Sequence, residues 1–330
     1  MTKLVIQIPC WNEEGTLGTT LEALPRALPG VDKVEWLVIN DGSTDKTVEV
    51  ARNHNVNHVV DLPQHVGLAK AFIEGLEKAL AVDADIIVNT DADNQYVADD
   101  IAKLIQPILD GRSEIVIGNR PINEIAHFSP LKRFLQRLGS WTVRKVSGTD
   151  IPDAPSGFRA ISWKAAMQLN VFNAHTYTLE TIIQAGHRNI PITWVDIQVN
   201  EELRPSRLVK SISSYVFRSV SVMVRIFMLY RPLRYFLTLG SVPFVLGSLL
   251  GLRWLALVYV VAEPGRTYLP SLVLAAILIL IGVQIWVLGF VADLMSANRT
   301  LLEEVRFRLR MAEREKIRSA REAQNNETKG

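Results

Sequence analysis

Short apolar runs that end in acidic or amide residues recur along the first half of the chain, each followed by helical spacing. Leu4–Ile8 stops at Pro9 and leads through Asn12-Glu13-Glu14 into a helical pattern over Gly15–Leu24. Trp36–Asn40 runs into Asp41-Gly42-Ser43-Thr44-Asp45 and a helix reaching about Asn53. His58–Asp61 and Gly67–Ala81 form a third pair. Ile86–Thr90 is a fourth strand ending at Asp91-Ala92-Asp93-Asn94-Gln95, followed by a helix near Ala98–Leu109 and a strand over Glu114–Ile117. Buried strands alternating with helices at this spacing predict an α/β fold with a doubly wound, mainly parallel sheet.

In such a sheet ligands gather outside the carboxyl ends of the strands. Asn12-Glu13, Asp41-Gly42 and Asp91-Ala92-Asp93 all follow strand ends, so the topology brings them to one rim. Two carboxylates and an amide in one turn supply hard oxygen ligands suited to a divalent cation such as Mg²⁺ or Mn²⁺. The same turn has a structural reading, with Asp93 or Asn94 capping a helix that starts near Val97.

The pattern loosens from Asn119 to about Asn200. Leu131–Val146 is helical and basic on one face, Asp153-Ala154-Pro155-Ser156-Gly157-Phe158-Arg159 is turn-rich, and Thr178–Gly186 is a short helix. Ile190–Val199 alternates like a strand, and this half is expected to form the wall opposite the first.

Beyond Val199 the composition shifts. Arg204, Arg207, Lys210, Arg218, Arg225, Arg231 and Arg234 interleave with apolar residues such as Leu208, Ile212, Val216 and Ile226. That mixture predicts basic amphipathic helices at an anionic membrane surface. Phe236–Leu252 and Tyr268–Ala292 are apolar on the scale of the roughly 20 residues that cross a bilayer. Arg253-Trp254 is expected to mark the outer interface of the first span, with Leu255–Ala262 near the headgroups and a turn at Glu263–Thr267. Basic clusters flank both outer ends of the pair, so both termini are expected in the cytoplasm. Residues 1–8 read as a strand and not as a secretory signal, so the first two-thirds of the chain are expected to remain on the cytoplasmic side. The expected organisation is a domain over 1–203, juxtamembrane helices over 204–234, two transmembrane helices over 235–293, and a charged tail helix over 294–330. The tail reads as a solvated helix or an oligomer contact.

The 330 residues carry a formal net charge of +2, so the clustering of Lys and Arg matters more than their sum. A single cysteine, Cys10, excludes an intramolecular disulfide and fits a reducing compartment. The histidines have no zinc-like spacing, and neither a Ser-His-Asp series nor a P-loop is present, which argues against hydrolase and kinase chemistry.

Three stretches taken together resemble the signature series of family-2 glycosyltransferases with the GT-A fold. They are Ile8-Pro9-Cys10-Trp11-Asn12-Glu13, Asn40-Asp41-Gly42-Ser43-Thr44-Asp45-Lys46-Thr47 and Asp91-Ala92-Asp93-Asn94-Gln95. His65-Val66-Gly67-Leu68-Ala69-Lys70-Ala71, Gly118-Asn119-Arg120 and Ser156-Gly157-Phe158-Arg159 add the subset shared with dolichol-phosphate mannose synthases and bacterial polyprenyl-phosphate glycosyltransferases. The resemblance covers about residues 3–235, and the paired membrane helices match the bacterial members. It departs in two places: Ala69 stands where the family usually has a second glycine, and Arg204-Pro205-Ser206-Arg207 replaces an Arg-x-x-Gly-x-Ser-Lys run.

The resemblance implies Mg²⁺ or Mn²⁺ held by Asp93 and Gln95, with Asp91 either a further ligand or a ribose contact. It makes Pro9, Glu13 and Asp41 nucleoside-binding positions, although Glu13 also suits the first turn of a helix. Asp45 and Thr47 are better explained as caps. Gly67 serves either a close backbone approach or a tight turn. Arg120 and Arg159 occupy the acceptor-phosphate positions, a task that suits guanidinium. A structural ion pair with Asp153 or Asp150 is the other reading for either arginine. Ser156 adds a hydrogen bond or starts a turn, and Asp153 orients Arg159 or the sugar.

The implied reaction is inverting transfer of one sugar from a nucleoside-diphosphate sugar to a polyprenyl phosphate on the cytoplasmic membrane face. Nucleic acid is not an expected partner, and a homodimer or homotetramer is. The alternatives are a different membrane acceptor, or a non-catalytic sugar-nucleotide-binding membrane protein. The intact Asp91, Asp93, Gln95, Arg120 and Arg159 favour an enzyme.

Overall fold

The computed structural model describes residues 2–121, 130–171, 177–200, 228, 232–261 and 268–327. It separates into two compact units, Met1–Ser219 with Glu303–Gly330, and Val220–Leu302. The basic stretch expected to form juxtamembrane helices falls almost entirely outside the described residues, as do Arg204 and Arg207.

The first unit is built on seven strands, β1 Lys3–Cys10, β2 Lys33–Asp41, β3 His58–Leu62, β4 Ile86–Asn89, β5 Ile115–Asn119, β6 Arg159–Ser162 and β7 Ile192–Asp196. They form one sheet in the order β3-β2-β1-β4-β6-β5-β7. β1 pairs in parallel with both β2 and β4, and β5 pairs in parallel with β7. β6 runs antiparallel between β4 and β5. The sheet is therefore mainly parallel, as the β-α alternation predicts. The order reverses around β1, so a crevice opens where its carboxyl end meets that of β4.

β1, β2 and β4 are apolar almost throughout because both of their faces are covered. α1 Leu17–Ala23 and α4 Asp100–Leu109 bring Leu17, Leu21, Ile101 and Leu104 to one core, with Ile6, Ile8 and Val88 from the strands. α3 Leu68–Ala81 buries Phe72 and Leu76. α2 Thr47–Asn53 completes the first half, while α5 Pro130–Ser147, α6 Trp163–Gln168 and α7 Thr178–His187 belong to the second.

β6 and α6 are a correction to the sequence reading, which ended the Asp153–Arg159 turn without a strand. Four residues beginning with arginine carry no readable alternation, and β6 is specified by pairing with β4 and β5.

The second unit contains α8 Pro232–Ala256 and the start of α9 Leu269–Glu327. Both are long and apolar enough to cross a membrane. Within this unit Gly240, Gly247 and Gly282 let the two helices approach closely, and Trp286 Nε1 donates to Leu237 O at 3.1 Å. α8 does not stop at Arg253: it continues to Ala256 and then through a π-helical turn, Leu257–Val261.

The end of α9 belongs to the first unit. Glu303 pairs with Arg188 at 2.5 Å, and Arg306 and Arg310 both reach Glu77 at 2.8 and 2.7 Å. Arg314 bonds Asp83 at 3.1 Å and lies 4.1 Å from the centre of the Trp163 ring. The i+3 and i+4 spacing of these four positions makes one stripe of the tail a fastening to its own catalytic unit.

Candidate active site

Two loops at the carboxyl rim are tied to each other by side chains the sequence places there. Asn12 Oδ1 accepts from Thr44 N at 2.8 Å, and Ser43 Oγ accepts from Asn12 N at 2.9 Å. Glu13 N donates to Thr47 Oγ1 at 2.9 Å, while Glu13 Oε2 accepts from Thr16 Oγ1 at 2.7 Å. Asp45 accepts from Thr47 N and Glu14 N at 3.0 and 3.1 Å, a capping arrangement that also bridges the loops.

Asp41 is 2% exposed, and its carboxylate is engaged by the next loop. It accepts from Val66 N at 2.7 Å and Gly67 N at 3.0 Å, and its Oδ2 lies 2.8 Å from His65 Nδ1. Gly67 stands at φ 96°, ψ 153°, a conformation essentially restricted to glycine, and α3 starts immediately after it. The tight-turn reading of Gly67 is therefore the one that the backbone supports. Holding that loop stacks His65 on the half-exposed Trp11, with ring centres 4.2 Å apart and planes at 21°. The pair forms an aromatic ledge beside Pro9, which is buried in β1.

The Asp91–Gln95 turn follows β4. Burial, then the neighbouring charge of Asp93, raises the Asp91 pKa to about 7, against the pull of Arg120, a Tyr96 hydrogen bond and Arg159. Two carboxylates repelling one another beside partly buried space form a donor set that fits a divalent cation. Gln95 N donates to Asp93 Oδ1 at 3.2 Å, keeping the turn tight. Among the described residues, no three His, Cys, Asp or Glu side chains gather into a metal cluster, so an amide and outside oxygens would complete the coordination.

Opposite this turn stands an arginine–carboxylate pair. Arg120 Nε lies 2.7 Å from Asp153 Oδ2 and Nη2 lies 3.1 Å from Oδ1, a fork-on-fork contact whose carboxylate is fully buried. Burial lowers the Arg120 pKa, but Tyr96, Asp153 and Asp91 outweigh it and the net shift is upward. The cation is thus firmly held.

Arg159 is fully buried. Nη1 donates to Thr181 Oγ1 at 2.6 Å and Thr178 O at 3.3 Å, and Nη2 donates to Ser156 O. Its guanidinium thereby ties the Ser156 turn to α7. The two arginines separate: Arg120 borders the cleft, whereas Arg159 secures the turn from within. Ser156 Oγ is buried with no hydrogen-bond partner among the described residues.

The sequence reading missed the polar spine under these groups. Gln7 in β1 and Asn89 in β4 are register partners, and Gln7 Nε2 donates to Asn89 Oδ1 at 2.9 Å. Asn89 Nδ2 donates to Gly157 O at 3.0 Å and Tyr177 Oη at 2.9 Å. Tyr96 Oη accepts from Gly157 N at 3.2 Å, and its ring stacks on Phe158. A Cβ on Gly157 would lie 3.2 Å from both Asp91 carboxylate oxygens, a tight contact from which the carboxylate would have to shift by a few tenths of an ångström. Two polar residues inside otherwise apolar strands were the available signal, because buried amides require partners. Cys10 lies between the two halves of the rim: burial, then Glu13, Asp45 and Asp91, push its thiol pKa up.

The residues expected to act together thus form two adjoining groups. Asp91, Asp93 and Arg120 gather in the second half with the fully buried Asp153, Ser156 and Arg159 behind them, while Glu13, Asp41 and Gly67 organise the first-half rim.

Comparison with known proteins matches this architecture. The family model described as Glycosyl transferase family 2 matches residues 5–169, half of the chain. UDP-N-acetylglucosamine--dolichyl-phosphate N-acetylglucosaminyltransferase of Methanococcus voltae is 34% identical over 49% of this chain and 70% of its own length. Undecaprenyl-phosphate mannosyltransferase of Micrococcus luteus is 26% identical over 59% of this chain and 84% of its own. Among solved structures, glucosyl-3-phosphoglycerate synthase from Mycobacterium tuberculosis in complex with Mn²⁺ and uridine-diphosphate-glucose superposes with a TM-score of 0.53. It is 19% identical and covers 68% of this chain and 78% of that one, a likeness of fold.

Proposed function

The chain belongs to glycosyl transferase family 2, and from that premise we propose that it transfers a single sugar, with inversion, from a nucleoside diphosphate to a polyprenyl phosphate at a membrane face. The observation that carries this reading is the meeting of unlike charges: Asp91 lies within the fields of Asp93, which raises its pKa, and of Arg120 and Arg159, which lower it. One end of that cleft suits a cation-bound pyrophosphate, and the other suits an anionic acceptor.

A polyprenyl phosphate is already a nucleophile, so the protein's main task is to orient it. Arg120, gripped by Asp153 through Nε and Nη2, keeps the remaining edge of its fork for a phosphate oxygen. Arg159 fixes the turn that carries Ser156, whose buried hydroxyl has no partner among the described residues and would bond the phosphate on its entry. The Trp11–His65 ledge offers a stacking face to the donor base, and Glu13 and the Asp41-held loop frame the ribose. Asp91, Asp93 and Gln95 would hold Mg²⁺ or Mn²⁺, which supplies Lewis-acid neutralisation of the leaving pyrophosphate. The two apolar helices support a location in the membrane where the acceptor lies, with the catalytic unit on the cytoplasmic face.

The test is incubation of membranes containing the chain with a panel of labelled sugar nucleotides, with and without Mn²⁺, followed by lipid extraction. Label enters the lipid fraction with the cation, and Asp93→Ala lowers transfer by about 100-fold or more. Full activity in Asp93→Ala would remove the metal assignment. No transfer to polyprenyl phosphate across the whole panel would remove the function.

A further inference from the structure

The acidic turn after β4 is held by a segment that follows β7. Asn200 N donates to Gln95 O at 2.8 Å, and Asn200 Nδ2 donates to Asn94 O at 2.9 Å and reaches Tyr96 O at 3.4 Å. One residue thus meets three successive carbonyls, and its neighbour Val199 pairs with Tyr96 in an isolated antiparallel bridge. Asn94, between Asp93 and Gln95, stands at φ 56°, a left-handed conformation that asparagine tolerates better than most side chains. A turn bent through that conformation keeps its shape only while its surroundings fix it. From another side the buried Thr20 of α1 donates through Oγ1 to Ala92 O at 2.9 Å.

The segment carrying Asn200 is itself anchored. Ile197 N donates to Asn119 O at 3.0 Å, and Asn119 Nδ2 donates to Asp196 Oδ1 at 2.6 Å, Asn119 being the residue before Arg120. Gln198 N donates to Oδ2 of the buried Asp100 at 2.6 Å, at the start of α4. Residues 196–200 therefore form a strap from the end of β5, which leads into Arg120, to the turn that carries Asp91, Asp93 and Gln95. Asn200 is exposed and adds nothing to the packing of the core. Its bonds act locally: with the carbonyls of residues 94, 95 and 96 engaged, the peptide planes of the turn cannot rotate, and the side chains of Asp93 and Gln95 start from a fixed backbone.

We propose that Asn200 is a positioning residue for the divalent cation, holding the backbone of the Asp91–Gln95 turn so that its side-chain oxygens converge on one point. The inference rests on the cation assignment made above and adds to it a residue 106 positions from Asn94 that touches neither cation nor sugar nucleotide. Groups that orient metal ligands from outside the coordination shell govern affinity by about 10–100-fold. Asn200 acts through the backbone and not on a ligand side chain, which places its effect at the lower end of that range.

The test is titration of the full chain in lipid nanodiscs with Mn²⁺, followed by the electron paramagnetic resonance of the free ion, alone and with uridine or guanosine diphosphate. Asn200→Ala weakens Mn²⁺ binding about tenfold and raises the Mn²⁺ concentration for half-maximal transfer by the same factor. Transfer at saturating Mn²⁺ falls by less than about twofold, and the unfolding temperature without metal is unchanged. Asn200→Asp keeps the shape of the side chain but removes its donor, so it weakens binding as well. Binding in Asn200→Asp as tight as in the unmodified chain, or tighter, overturns the inference, since the donor would be dispensable or the residue itself a ligand. Equal Mn²⁺ binding by Asn200→Ala and the unmodified chain overturns it too, as does a loss of transfer that saturating Mn²⁺ does not restore. Absence of Mn²⁺ binding by the unmodified chain in every condition would remove the cation site and this inference together. Mn²⁺ binding that Asn200→Ala weakens, in a chain that transfers no sugar to polyprenyl phosphate, would defeat the proposed function and leave this inference standing.

Discussion

Asp153 has no exposure to water, and Arg120 meets its carboxylate with two donors. Removing one partner of such a pair leaves an uncompensated buried charge, costing about 3–5 kcal/mol. Arg120→Ala is therefore expected to lower the unfolding temperature sharply. Arg120→Lys keeps a cation but loses the fork, so it retains more stability and still loses about 100-fold in transfer. Thermal unfolding and the lipid-extraction assay separate the two effects. Glu35 provides a second residue-level case, far from the chemistry. Burial raises its pKa, but hydrogen bonds from Lys3, Lys33 and His58 outweigh it and take the value from 4.5 to about 2. A folded-state pKa depressed in this way contributes stability that is complete above pH 4.5 and lost as pH falls towards 2. Glu35→Gln should remove up to about 3 kcal/mol at neutral pH and flatten the acid limb of an unfolding curve followed by circular dichroism. The motif residues Asp91, Asp93, Arg120 and Asp153 were legible because they sit in short local patterns. Gln7, Asn89 and Tyr177 were not, since the bonds that give them meaning join residues 82 and 88 positions apart.

Among the elements, those with local signals were found and those specified by distant pairing were not. α3 announces itself through helical spacing after a glycine, and the sequence range Gly67–Ala81 differs from the observed Leu68–Ala81 by one residue. β6 is four residues long, lies between strands contributed by other parts of the chain, and has no pattern of its own. The tail of α9 shows the same principle in a helix. Its charges read as solvated because opposite charges recur along it, yet Arg306, Arg310 and Arg314 each meet acids of α3 or of the segment before β4. Arg314 is 6% exposed and covers Trp163, so Arg314→Ala is expected to cost about 1–3 kcal/mol. Hydrogen exchange should then quicken in α6 and at the start of β4, while Arg308→Ala, whose arginine pairs with Glu304 on its own helix, leaves both unchanged. Equal exchange in the two variants would mean that the stripe adds nothing to the catalytic unit.

At the scale of the whole chain, a sheet with an acidic rim and two apolar helices were both readable from hydropathy alone. The alternation of strands and helices fixed the mainly parallel sheet, and the order around β1 then located the cleft. What hydropathy does not carry is the choice of sugar, because that choice depends on side chains gathered from separate loops. The central claim is therefore about reaction type and acceptor. It is tested most directly by the mass of the lipid product formed by the purified full chain, polyprenyl phosphate, Mn²⁺ and a donor panel. The account predicts a lipid heavier by a single sugar unit and still carrying one phosphorus atom, absent with Asp93→Ala. A product carrying two phosphorus atoms, or an unmodified lipid with every donor, would contradict it.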